Sequence, residues 1–60
     1  MVIFTITESE YHTFTIKTNH FEFQHLNQRF VELRELFETM QMITETINNE
    51  YRRAVLFEVE

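Results

Sequence analysis

The three histidines, His12, His20 and His25, are the side chains of this chain that titrate closest to neutral pH. Together with Glu22 they are the first candidates for a metal or acid–base site. His20 and Glu22 share a face only if their segment is a strand, and His25 then points to the opposite face. No spacing among these residues matches a zinc motif. The pattern therefore predicts solvated or edge histidines and no bound metal.

Glu32, Glu35 and Glu38 follow one another at intervals of three, which places them on the polar side of a helix, where they stay solvated. The only serine, Ser9, lies in a predicted turn with no base beside it. The chain has no Gly and no Cys, the residues that build phosphate-binding loops and thiol nucleophiles. We therefore expect no catalytic residues and no cofactor, and predict that the protein is not an enzyme.

Ten Glu against five Lys or Arg give the chain a formal net charge of −5. Such a surface repels nucleic-acid backbones, and Arg52 and Arg53 form the only basic pair. The charge therefore disfavours direct nucleic-acid binding, which stays an alternative. A second alternative is that the acidic face formed by Glu32, Glu35 and Glu38 imitates a row of phosphates and inhibits an enzyme that handles DNA or RNA. Otherwise this face only makes the chain soluble.

Alternating apolar and polar residues predict a β-hairpin at the start of the chain. Residues 2–7 form the first strand, residues 8–10 the turn, and a second strand returns through Phe14 and Ile16. The side chains expected on the inner face are Val2, Phe4, Ile6, Phe14 and Ile16.

Residues 18–26 fit two structures. As a strand, they place Phe21 and Phe23 on the inner face beside Ile16 and Phe14, in a consistent register. As a helix, they begin at Asn19, and Glu22 completes a capping box. We favour the strand.

A long amphipathic helix is predicted from Asn27, a good N-cap residue, to a stop at Asn48 and Asn49. Apolar residues recur every three or four positions along it. The predicted stripe consists of Phe30, Leu33, Phe37, Met40 and Ile47, and it is widened by Leu36 and Ile43. A helix of about 20 residues spans about 30 Å, whereas a seven-residue strand spans about 23 Å. We therefore expect the end of the helix to overhang the sheet and to need a second copy of the chain to cover it.

Residues 53–59 predict a final strand with Val55, Phe57 and Val59 on one face and Ala54 and Leu56 on the other. Because its apolar residues are nearly continuous, either both faces are covered or the strand pairs across an interface.

The second face of the sheet is the strongest functional signal. It is expected to be a flat patch of small, β-branched and apolar residues beside an uncovered edge, which suits strand addition or face-to-face packing. The predicted interface residues on this face and at the helix end are Ile3, Thr5, Thr13, Thr15, Ala54, Leu56, Ile43 and Ile47.

Residues 1–60 are thus predicted to form one α+β domain: a small antiparallel sheet of three or four strands, in βββαβ or ββαβ order, with one long helix on one face. The function expected of it is that of a small acidic protein-interaction or regulatory module that forms a homodimer and binds another protein. The start of the chain resembles no signal peptide, and no apolar run is long enough to span a membrane, so we expect a cytoplasmic protein. Its size and acidity suit an accessory protein of a phage or mobile element.

Overall fold

The computed structural model describes all residues from Met1 to Glu60 and confirms the α+β class. One long helix packs against a four-stranded sheet, and the elements follow one another in βββαβ order. The elements are β1 (Val2–Glu8), β2 (Phe14–Thr18), a 3₁₀ helix (Phe21–Leu26), β3 (Gln28–Phe30), α1 (Leu33–Tyr51) and β4 (Val55–Val59).

The sheet is mixed, so the expectation of a purely antiparallel sheet is wrong for its last strand. The strand order is β3-β2-β1-β4, and β4 pairs parallel to β1 while the other two pairings are antiparallel. The cause is the long helix between β3 and β4, because a helical crossover returns the chain to the end of the sheet where β1 begins. β3 and β4 are the two edges.

Residues 18–26 form neither the strand nor the capped α-helix that the sequence allows. The backbone N–H of Thr18 donates to Asn27 Oδ1 at 2.9 Å, and the Thr18 hydroxyl donates to the Ile3 carbonyl at 2.8 Å. These bonds end β2, and the 3₁₀ helix follows with Phe23 buried and Phe21 exposed. The third strand therefore begins at Gln28, several residues later than predicted.

The helix begins later and ends later than predicted. Asn27 does not cap it, since its side chain binds Thr18 and the next three residues pair with β2. Helix α1 starts at Leu33 and continues past Asn48 and Asn49 to Tyr51. The ring of Tyr51 meets Phe23 edge-on at a centroid distance of 4.9 Å. Phe23 of the 3₁₀ helix thus packs against the last turn of α1, while Tyr51 itself stays 45% exposed.

The hydrophobic core lies between α1 and the inner face of the sheet. β1 contributes the three alternate residues that the sequence predicts, β2 and β3 contribute one buried residue each, and the helix contributes one stripe. Phe14 of β2 and Val55 and Phe57 of β4 are partly buried against this core. The buried apolar residues are Val2, Phe4, Ile6, Ile16, Phe23, Phe30, Leu36, Ile43 and Ile47.

Arg52 ends α1 in the left-handed region, with φ 56° and ψ 41°, a conformation that a β-carbon disfavours. Replacing Arg52 by Gly is expected to raise the free energy of unfolding by about 0.5–1 kcal/mol, because relief of the β-carbon clash outweighs the extra freedom of glycine in the unfolded chain. Urea denaturation followed by circular dichroism measures the change. Arg52→Ala is the matched control: it also removes the guanidinium but keeps the β-carbon, so an equal gain from alanine would contradict the explanation.

Candidate functional site

The outer face of the sheet, opposite α1, has no second layer over it. The strand registers place Thr7 beside Thr15 and Thr5 between Lys17 and Glu58 on this face. Threonine is a residue that packs well on a pleated surface, and a row of them gives a flat surface with hydroxyl groups. We call the residues Ile3, Thr5, Thr7, Thr15, Lys17, Leu56 and Glu58 the open face.

The most apolar part of the open face is the pair formed by Ile3 on β1 and Leu56 on β4. The two residues are direct neighbours across the parallel pairing. Their exposed fractions are similar, 44% for Ile3 and 41% for Leu56. Two large aliphatic side chains side by side in solvent, at the edge of a sheet, are a typical anchor for a protein partner.

Strand β4 is the longer of the two sheet edges, with five residues against three in β3. The backbone bonds from Val2 N–H to the Ala54 carbonyl and from Glu60 N–H to the Ile6 carbonyl show which residues face β1. Because the direction alternates along a strand, the N–H and C=O groups of Val55, Phe57 and Val59 point away from β1, along the free edge. A strand from another polypeptide can pair with these groups.

On the inner side of β4 a shallow groove of about 420 Å³ runs between the strand and α1. Phe57 forms one wall, and Met40 and Thr44 of the helix form the other. Phe57 also packs on Phe4, with ring centroids 5.7 Å apart. Exposed Phe37 lies one helical turn before the groove, at a spacing that makes it a neighbour of Met40. The β4 edge therefore carries exposed apolar groups on both of its sides.

A larger concavity of about 660 Å³ lies on the open face. Its walls are mostly polar and include Thr5, Thr15 and Lys17, with Ile3 among the few apolar residues. The hydroxyl of Thr7 at its rim donates to Glu60 Oε2 at 3.1 Å. The concavity is thus a wide, hydroxyl-lined depression of the sheet.

Six of the eight predicted interface residues lie at or next to the open face, and two do not. Ile43 and Ile47 of α1 are fully buried in the core of the chain itself, so they have no surface to offer a partner. Thr13 lies in the turn before β2, where its hydroxyl is hydrogen-bonded to the Ser9 hydroxyl and its N–H donates to Ser9 Oγ at 3.4 Å. Ala54 is exposed immediately before β4.

The three predicted acidic residues are all exposed. Glu32 precedes α1 at its N-cap position, with Arg34 Nη2 3.9 Å from its carboxylate, and Glu35 lies in the first turn. Negative charge at this end of a helix is favourable because the helix dipole is positive there. Glu38 follows on the solvent side of the helix, away from both the open face and β4.

His20 and Glu22 lie together although their segment is not a strand, with His20 Nε2 3.8 Å from Glu22 Oε1, and Arg53, which the sequence did not predict here, completes a cluster beside Phe23. Arg53 Nη2 lies 2.9 Å from His20 Nε2, and Arg53 Nη1 lies 3.3 Å from Glu22 Oε1. Arg53 belongs to the segment after α1, 33 positions from His20, so local spacing in the sequence could not predict this contact. Its guanidinium also lies 5.9 Å from the centre of the Phe23 ring. The cluster fastens the 3₁₀ helix to the start of β4.

No group of three His, Cys, Asp or Glu side chains is arranged to hold a metal ion. His12 lies in the exposed first turn, 3.6 Å from Glu8, and His25 is exposed at the end of the 3₁₀ helix. The three histidines are therefore not brought together. Helix α1 lacks the apolar length needed to cross a bilayer.

No family model matches this chain, and neither a curated protein nor a solved structure matches it. Function must therefore be inferred from the geometry of the chain itself.

Proposed function

We propose that this chain is a non-enzymatic protein-interaction module of the cytoplasm that associates with itself and binds a further protein through the open face. The observation that carries the proposal is the uncovered sheet face, on which Ile3 and Leu56 lie side by side next to the free β4 edge. A sheet face and an adjoining strand edge together offer a partner both apolar contact and backbone hydrogen bonds.

The chemistry of the open face favours a polypeptide as the ligand. Its hydroxyl groups and the Ile3–Leu56 pair suit a mixed polar and apolar surface, as in ordinary protein interfaces. Lys17 and Glu58, on either side of Thr5, give opposite charges in one row and so a means of orienting the partner. Ser9, the only serine, is held within its turn by Thr13, which supports a structural role for it.

The test is affinity capture from cells of the source organism, with the parent chain and matched variants as baits and mass spectrometry as the readout. Thr5→Arg places a bulky charge in the middle of the open face and is expected to lower recovery of the partner by about tenfold or more, because a buried, unpaired charge weakens an interface strongly. Asn49→Arg adds the same charge on the exposed side of α1, away from the sheet and from the groove beside β4, and should leave recovery unchanged. Equal loss from both variants, or from neither, would contradict the proposal.

A second candidate is the acidic mimic of nucleic acid, favoured by the exposure of Glu32, Glu35 and Glu38. The same capture experiment separates the two functions. If the chain is an acidic mimic, a bait in which these three residues are Gln should lose a basic, nucleic-acid-handling partner. The Thr5→Arg bait should still recover that partner. Salt would weaken such a complex steeply, since its attraction is mainly electrostatic.

A further inference from the structure

We propose that the concavity of the open face binds an extended segment of the partner protein whose alternate side chains are, in order, apolar, acidic and basic. The inference rests on the proposed function and names the chemistry of the partner. The concavity, of about 660 Å³, runs along β1 and β2 from Met1 and His20 at one end to Thr7 and Glu60 at the other. It lies on the sheet face that no other layer covers.

The repeat of the strands suits an extended peptide. Alternate residues of a strand lie on one face about 6.6 Å apart, and the same spacing separates alternate side chains of any extended segment. A segment that lies along the concavity therefore sets its alternate side chains over successive rows of the open face. The three rows are Ile3, then Thr5 with Lys17, and then Thr7 with Thr15.

The first row offers an apolar contact. Ile3 is 44% exposed, and Leu56, its neighbour on β4, extends the apolar surface beyond the wall of the concavity. Covering exposed aliphatic groups is favourable by about 25 cal/mol per Å². An aliphatic side chain such as leucine therefore fits at the first position of the segment.

The middle row offers positive charge. Arg34 and Arg53 each lie beside a carboxylate, whereas Lys17 forms no ion pair within the chain, although the chain carries ten Glu. Thr5 lies directly across the strand pairing from Lys17 and adds a hydroxyl donor. Glu58, the acidic residue of this row, lies on the far side of Thr5 and outside the concavity. An acidic side chain therefore fits at the middle position, over Lys17.

The last row offers negative charge. The backbone N–H of Glu60 donates to the Ile6 carbonyl at 2.9 Å, and its carboxylate accepts from the Thr7 hydroxyl at 3.1 Å, so the carboxylate is held at the wall of the concavity. Arg29, the cation of this row, lies beside Thr15 on β3 and outside the concavity. A lysine or arginine side chain therefore fits at the third position.

The shape of the open face favours a peptide over a second copy of the chain. A second copy presents the same depression, and two concave faces leave a gap between them, which loses the close packing of a stable interface. A single extended segment is narrow enough to enter the concavity. Nucleic acid fits less well, because Glu58 and Glu60 repel its phosphates.

Peptide titrations followed by NMR of the nitrogen-15-labelled chain, at low ionic strength, test the proposal. The matched peptide is acetyl-Leu-Thr-Glu-Thr-Lys-amide, whose blocked ends carry no charge. The swapped peptide, acetyl-Leu-Thr-Lys-Thr-Glu-amide, has the same composition with its two charges exchanged. The matched peptide should shift the amide signals of Thr5, Lys17 and Thr15, with a dissociation constant about tenfold lower than that of the swapped peptide. The reversed sequences of both peptides are titrated as well, because the order of the side chains does not fix the chain direction.

Exchanging the two charges of the protein tests the same contacts from the other side. The double variant Lys17→Glu with Glu60→Lys should bind the swapped peptide about tenfold more tightly than the matched one, which reverses the preference of the parent chain. Arg52→Gln is the control, because Arg52 is an exposed cation outside the open face, and it should leave both dissociation constants unchanged. The dispersion of the NMR signals shows that each variant is folded. A folded double variant that keeps the parent's preference would overturn the assigned positions.

The remaining outcomes separate this inference from the proposed function. Equal affinity for the two peptides, or no binding of either up to about 5 mM, overturns the inference. If Thr5→Arg still abolishes capture of a partner, the open face nevertheless remains the interaction site. If the peptides are distinguished as expected but Thr5→Arg leaves capture unchanged, the concavity binds peptides and the proposed function falls.

Two other occupants of the concavity have outcomes of their own. Shifts of the same amide signals on dilution of the chain alone would mean that a second copy occupies the concavity. Tighter binding of a thymidine oligonucleotide than of the matched peptide would mean that nucleic acid does. Either result would overturn the inference.

Discussion

Phe23→Ala is expected to lower the free energy of unfolding by about 3–5 kcal/mol, the usual loss when a buried phenylalanine is truncated. Phe23 is 1% exposed and contacts the last turn of α1 through Tyr51 and the start of β4 through Arg53. A chain of 60 residues has about 3–9 kcal/mol of stability in all. The variant should therefore be mostly unfolded or close to it at room temperature, which urea denaturation followed by circular dichroism would show.

Phe21→Ala provides the matched control, two residues away in the same 3₁₀ helix. Phe21 is 81% exposed, so its truncation should change the free energy of unfolding by less than about 0.5 kcal/mol. The alternative strand placed both phenylalanines on the inner face and predicts similar, large losses for both. Similar losses would therefore contradict the 3₁₀ helix, and the ratio of the two effects measures which structure the segment adopts.

The parts of the fold that sequence predicts correctly are those governed by local periodicity. β1 and β2 alternate apolar and polar residues as predicted, and the register that pairs Ile6 with Ile16 keeps their apolar sides together. The loop between them covers residues 9–13, however, and not the predicted 8–10. The periodicity of α1 likewise predicts one buried stripe, but the buried side is shifted. Leu36, Ile43 and Ile47 are buried, whereas Leu33 and Phe37 of the predicted stripe are 47% and 54% exposed. In each case neighbours along the chain carry the whole signal.

The parts that sequence does not predict depend on contacts between distant residues. Asn27 is a good helix cap by its type, but its side chain instead binds the backbone of Thr18, nine positions earlier. That bond frees Gln28–Phe30 to pair with β2 and delays the helix to Leu33. The parallel direction of β4 also depends on distant parts of the chain, because it is set by the end of the sheet to which α1 returns the chain.

The candidate site shows the same division. Ile3, Leu56, Thr5 and Thr15 were expected on an open surface from alternation alone, and the structure places them at the outer face. Arg53 was expected as half of a basic pair and is held by His20 and Glu22 instead. His20 and Glu22 belong to residues 18–26, for which local patterns allowed two structures. The sequence therefore could not predict that Arg53 contacts them.

Ile43→Ala is expected to lower the free energy of unfolding by about 2–5 kcal/mol, because the truncation leaves a cavity in the single core. Ile43 is fully buried within one copy of the chain, between Leu36 and Ile47 along the helix stripe. The loss should be the same at about 2 μM and about 200 μM protein. A dimer of moderate affinity would be mostly dissociated at the lower concentration and mostly formed at the higher one. Denaturation curves at the two concentrations measure it.

The dependence on concentration decides between a core and an interface. Had Ile43 been an interface residue, as the overhanging helix suggested, its truncation would weaken the dimer, and the loss would grow as the protein became more concentrated. Met42, its neighbour in sequence, is 46% exposed, so Met42→Ala should cost less than about 1 kcal/mol at either concentration. A concentration-independent loss for Ile43 would place its contacts inside each copy of the chain.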